Sequence, residues 1–122
     1  MEIIPGIHLV DGIFAHCYLI DGPELTLIDT GMPRKTKKII RYITETLQRT
    51  PTDLKTIILT HSDIDHIGNA RELHNITGAE IAAHSWDAEV IAGKKSRQTP
   101  QKILGFFFKT LGVFLQVKPF PV

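Results

Sequence analysis

The sequence predicts an α/β (α+β) fold, a mixed β-sheet with helices packed on one face. Three observations carry this. Short apolar runs fill the first third, at 7–10, 14–20 and 25–28, separated by Asp11-Gly12 and Asp21-Gly22-Pro23. That is the pattern of antiparallel strands joined by tight turns. From residue 33 the pattern changes to alternating helix and strand, which extends the sheet and supplies its covers. Two polar clusters, Asp29-Thr30-Gly31 and residues 61–66, directly follow apolar strands, and in open α/β sheets functional sites gather at the carboxyl ends of strands.

The elements follow in order. A helix is expected over 33–48, because Pro33 suits a first turn and Ile39, Ile40, Ile43 and Leu47 recur at helical spacing. Thr50-Pro51-Thr52-Asp53 ends it. Residues 54–59 read as a buried strand, with Ile57, Ile58 and Leu59 contiguous. A short helix over 67–75 is stopped near Gly78, residues 80–83 form a strand, and Ser85 caps a helix reaching 92. A polar basic stretch at 93–100 leads to a further helix at 101–117, and prolines keep the final residues extended.

The chain's 122 residues fit a single domain, 1–122, with 43% hydrophobic and 22% charged residues. A net charge of +1 gives no reason to expect nucleic acid as a partner. The basic run Arg34, Lys35, Lys37, Lys38 and Arg41 reads as a solvated helix face. No stretch is long and unbroken enough for a membrane span. One cysteine, Cys17, excludes an internal disulfide framework. With no basic, apolar leader at the start of the sequence, a cytoplasmic location is the expectation.

Chemistry concentrates at His61-Ser62-Asp63-Ile64-Asp65-His66. Alternate residues of a loop turn toward one point, and His66 approaches from the start of the next helix. Imidazole and carboxylate together suit Zn, as one or two ions, or Mn or Fe. From the residues alone a hydrogen-bonded polar loop remains the alternative.

The stretch Thr60-His61-Ser62-Asp63-Ile64-Asp65-His66-Ile67-Gly68 resembles the metallo-β-lactamase superfamily signature His-x-His-x-Asp-His-x-Gly, and Leu27-Ile28-Asp29-Thr30-Gly31 resembles that family's first motif. The resemblance implies half of an αββα sandwich. It implies that His61 ligates a first metal and that Asp65 and His66 ligate a second. Asp29, Thr30 and Gly31 would then support the metal loop from behind. The implied reaction is hydrolysis of a small-molecule ester, lactone, thioester or amide by metal-bound hydroxide, with Asp65 the catalytic residue that orients it.

Two departures qualify this. Asp63 stands where the signature has its second His. It remains a candidate ligand, harder and more negative than imidazole. Further ligands in the family come from a second half, so the chain is expected to be the N-terminal half only, with 101–122 an apolar helix and linker toward the rest. The alternatives are an inactive half-domain that forms a homodimer through 103–117, or a half-site completed by a partner chain.

Other candidates carry weaker expectations. His84 reads as a capping residue. His16 and Cys17 are adjacent on a strand, so one should face inward and one outward. His74 and His8 are expected at the surface.

Overall fold

The computed structural model describes residues 1–13 and 15–93. They form one six-stranded sheet in sequential order: β1 (Glu2–Ile4), β2 (Ile7–Leu9), β3 (Tyr18–Asp21), β4 (Leu25–Ile28), β5 (Leu54–Leu59) and β6 (Glu80–Ala83). β1 to β4 run antiparallel, and β4, β5 and β6 are parallel. The crossover from β4 to β5 contains α1 (Thr36–Arg41). Between β5 and β6 lie α2 (Ile64–Ile67) and α3 (Ala70–Thr77), and α4 (Ser85–Ile91) follows β6. The mixed sheet with helices on one face is thus the architecture expected. The basic loop beyond residue 93, the apolar helix at 101–117 and its expected homodimer contact lie outside the described residues.

The core forms between the sheet and the helices. Leu19, Leu25, Leu27, Leu54, Ile57 and Leu59 point from the strands to Ile39, Ile43, Ala70, Leu73 and Ile91 on the helical side. Leu54 and Ile57 face the same side although they are three positions apart, because β5 gains one residue on β4 between Leu25 and Thr26. Such a bulge restores the inward alternation for the rest of the strand. The opposite face carries Ile20, Ile28 and Ile58, with Ile58 exposed.

Several expectations shift. A strand at Glu2–Ile4 was not anticipated. The strand expected over 14–20 pairs only from Tyr18, after Ala15 takes a left-handed φ of 69°. The helix over 33–48 is α-helical only through Arg41 and then widens to a π-helical turn, Tyr42–Thr46. There the Thr44 hydroxyl donates back to the Ile40 carbonyl, a bond that competes with the regular ladder. The helix over 67–75 is two helices, parted at Gly68 and Asn69. The reason is local: the Asn69 N–H donates to the Thr30 hydroxyl rather than continuing a helical ladder.

His8 is a correction. It is only 8% exposed. β2 places it opposite Leu19 on the core side, with Nδ1 2.9 Å from Tyr42 Oη and its ring edge-on to that tyrosine. His74 is also half-buried, its Nδ1 2.7 Å from the Ala79 carbonyl. Cys17 is fully buried and His16 exposed, although both lie just before β3 rather than on it.

Candidate metal centre

β4 and β5 are adjacent and parallel, so residues just past their ends become neighbours: Asp29 after β4, and Thr60 to His66 after β5. The Asp29 N–H donates to the Ile58 carbonyl as the last rung of the pair, at 2.8 Å. Asp29 then adopts φ 57°, a left-handed conformation that Asp tolerates better than most residues. The turn aims a 5% exposed carboxylate across the strand ends.

That carboxylate organises the loop. Oδ1 accepts the Thr60 N–H at 2.8 Å, and Oδ2 accepts the Thr60 hydroxyl at 2.7 Å. Oδ2 also lies 2.9 Å from His66 Nδ1. A carboxylate only accepts, so His66 carries its proton on Nδ1 and leaves Nε2 for other work. Thr30, fully buried, holds the same segment: its N–H and hydroxyl both donate to the His66 carbonyl, at 2.7 and 3.0 Å. Gly31 accepts the Gly68 N–H at 2.9 Å and adopts φ 74°, a conformation glycine reaches without strain. A Cβ on Gly68 would come within 2.3 Å of Pro33 N and 2.5 Å of Gly31 O, so the two motif loops touch backbone to backbone.

One donor atom each from His61, Asp65 and His66 lies within 4.8 Å of the other two, and the residues are half-buried. The two imidazole rings sit 3.9 Å apart, centroid to centroid. Asp65 Oδ2 lies 3.4 Å from His66 Nε2. Two imidazoles and a carboxylate converging from a pinned loop are a donor set that fits Zn, with Mn or Fe as harder choices. Asp63 is separate from this triad. Its side chain is 71% exposed, and its carboxylate reaches toward His61 Nε2 at 3.4 Å.

Two supports are not evident from the sequence. Asn69 is 1% exposed, and every capacity of its amide is used. Nδ2 donates to the Thr30 and Met32 carbonyls at 2.6 Å each, and Oδ1 accepts from Lys35 N and the Thr36 hydroxyl. Asp87 on α4 accepts the Ser62 N–H at 3.0 Å. No spacing rule flags either residue. The one usable signal is a polar side chain placed where a helix would otherwise continue. His84 caps α4 by accepting the Trp86 N–H, so the cap expected of Ser85 is corrected: Ser85 is the first residue of the helix. Behind the site the Cys17 thiol donates to the Asp29 carbonyl at 3.2 Å. Burial, then the nearby Asp29 charge, push its pKa up to about 12.

Comparison with known proteins bears on the family and the fold. The family model described as the metallo-β-lactamase superfamily matches residues 10–119. A probable metallo-hydrolase of Bacillus subtilis, YflN, is 33% identical over 100 residues, covering 77% of this chain and 37% of that protein. A metallo-β-lactamase with a HARLDQ motif from Cronobacter sakazakii superposes with a TM-score of 0.71 at 30% identity, over 79% of this chain and 38% of the other. The class B3 di-zinc metallo-β-lactamase LRA-12 from an Alaskan soil metagenome gives 0.70 at 28% identity, over 79% and 37%. The chain therefore spans somewhat over a third of the length of these relatives.

Proposed function

The chain belongs to the metallo-β-lactamase superfamily of hydrolases, and from that premise we propose that it carries the metal-binding half of a hydrolytic site acting on a small-molecule ester, lactone, thioester or amide. The observation that carries this reading is the convergence of His61, Asp65 and His66 from a loop held by Asp29. Zinc is the metal the donor set fits best, and the di-zinc relative supports that choice. Bound there, it would act as a Lewis acid and acidify a water.

The chain's own residues do the rest. His61 and His66 present their ring nitrogens, and Asp29 keeps a proton on His66 Nδ1. Asp65, half-buried beside His66 Nε2, would hold and orient the attacking water through its carboxylate. Asp63 lies at the rim and would bind metal only by turning inward from its exposed position.

Zinc titration of the chelator-treated chain by calorimetry tests the reading, with a panel of ester, lactone, thioester and β-lactam substrates assayed alongside. Stoichiometric zinc is expected. His61→Ala and His66→Ala should each lose at least the about 10–100-fold in affinity typical of a lost outer-shell partner, and Asp63→Ala should lose less than either. No zinc uptake, or His61→Ala and His66→Ala variants that bind like the parent, would overturn it.

A further inference from the structure

We propose that Thr60 is a positioning residue: its hydroxyl relays the orienting effect of Asp29 to His61, so that one carboxylate sets the tautomer of both imidazoles. The inference rests on the metal-site reading but concerns hydrogen bonds present in the protein without metal. Thr60 Oγ1 lies 2.7 Å from Asp29 Oδ2 and 2.8 Å from His61 Nδ1. A hydroxyl has one proton. The carboxylate can only accept, so that proton goes to Asp29. The contact with His61 must then run the other way, with His61 Nδ1–H donating into the hydroxyl's lone pair. His66 Nδ1–H donates to the same Oδ2 directly, at 2.9 Å. In the neutral form of each ring Nε2 then carries the lone pair that a metal ligand needs, with Asp63 Oδ2 3.4 Å from His61 Nε2 and Asp65 Oδ2 3.4 Å from His66 Nε2.

The two links differ in strength of constraint. His66 is 19% exposed in its side chain and meets the carboxylate itself, whereas His61 is 40% exposed and depends on the hydroxyl. In water an imidazole side chain prefers its proton on Nε2, so an unrestrained His61 would present the wrong nitrogen. Thr60→Val removes the hydroxyl while keeping a β-branched side chain. It also leaves the Thr60 N–H bond to Asp29 Oδ1, so the loop keeps its backbone anchor.

The experiment is two-dimensional long-range ¹H–¹⁵N correlation of the metal-free chain at about pH 9, above the ordinary imidazole range. It is run on the parent, Thr60→Val and Thr60→Ser, with zinc affinities measured on the same samples and thermal melts to confirm folding. The parent should show His61 and His66 protonated on Nδ1. Thr60→Val should move His61 toward Nε2–H, leave His66 unchanged, and bind zinc about 10–100-fold more weakly. Thr60→Ser should restore both properties. A His61 that stays Nδ1–H in Thr60→Val overturns the relay, as does a Thr60→Ser that behaves like Thr60→Val. A parent that binds no zinc yet shows the Nδ1–H pair overturns the metal reading and upholds the relay, so the two failures are distinct.

Discussion

Replacing Gly68 with Ala sets two effects against each other, and the structure decides between them. Gly68 sits just after α2 with φ −55° and ψ −28°, ordinary right-handed values. Ala would by itself stabilise such a position by about 1 kcal/mol, through helix propensity and a less flexible unfolded chain. The added Cβ, however, meets Pro33 N at 2.3 Å, Gly31 O at 2.5 Å and Met32 C at 2.5 Å. All three are backbone atoms, so no side chain can swing away. Overpacking of this kind costs about 1–3 kcal/mol, and parting the loops weakens the Gly68–Gly31 hydrogen bond, worth about 1 kcal/mol. The net expectation is a loss of roughly 1–3 kcal/mol, a fall in Tm on the order of 5–15 °C for a domain of this size. Thermal and urea unfolding of the full chain read it directly. Gly78→Ala is the control: it has φ 75° but nothing within 4 Å of the new Cβ, so only the left-handed conformation is penalised, about 1–2 kcal/mol. A Gly68→Ala protein as stable as the parent refutes the argument.

Two further outcomes follow from buried groups. Asn69→Leu keeps the volume but strands the Thr30 and Met32 carbonyls and the Lys35 N–H. A loss of about 2–4 kcal/mol is expected in urea melts, and a loss below that of a surface substitution would show the network to be dispensable. The Cys17 thiol, held near pKa 12 against an ordinary 9, stays neutral while folded. Alkylation at pH 8 should therefore track unfolding and quicken in denaturant. The sign for stability is that of a raised pKa: the contribution is complete below about pH 9 and is lost as pH rises toward 12. Rapid labelling of the native chain at pH 8 would contradict the burial argument.

How much of this was legible in the sequence depended on what each residue's partner was. The sheet was readable because Leu25, Leu27, Ile57 and Leu59 must alternate toward a core, whatever else they touch. The candidate metal loop was readable because His61, Asp65 and His66 are close along the chain as well as in space. The supports were not. Asn69 reaches residues 33 to 39 positions away, and Asp87 reaches back 25. Pairings at that range leave no periodic trace. His8 was misplaced for a related reason, since its burial depends on Tyr42, 34 residues on. The helix boundaries at Thr36 and Asn69 were missed because loop hydrogen bonds, not propensity, set them.

The extra residue that β5 gains near Leu25 has a consequence beyond the core. Downstream of it Ile28 pairs with Ile58, which sets Thr60 against Asp29. A slip of one residue would put Leu59 or His61 there instead, and would turn Ile57 and Leu59 out of the core. The same misalignment that spoils the ligand loop therefore also exposes the apolar face of the strand. A chain with this strand mispaired would lose stability together with the alignment of its candidate metal loop.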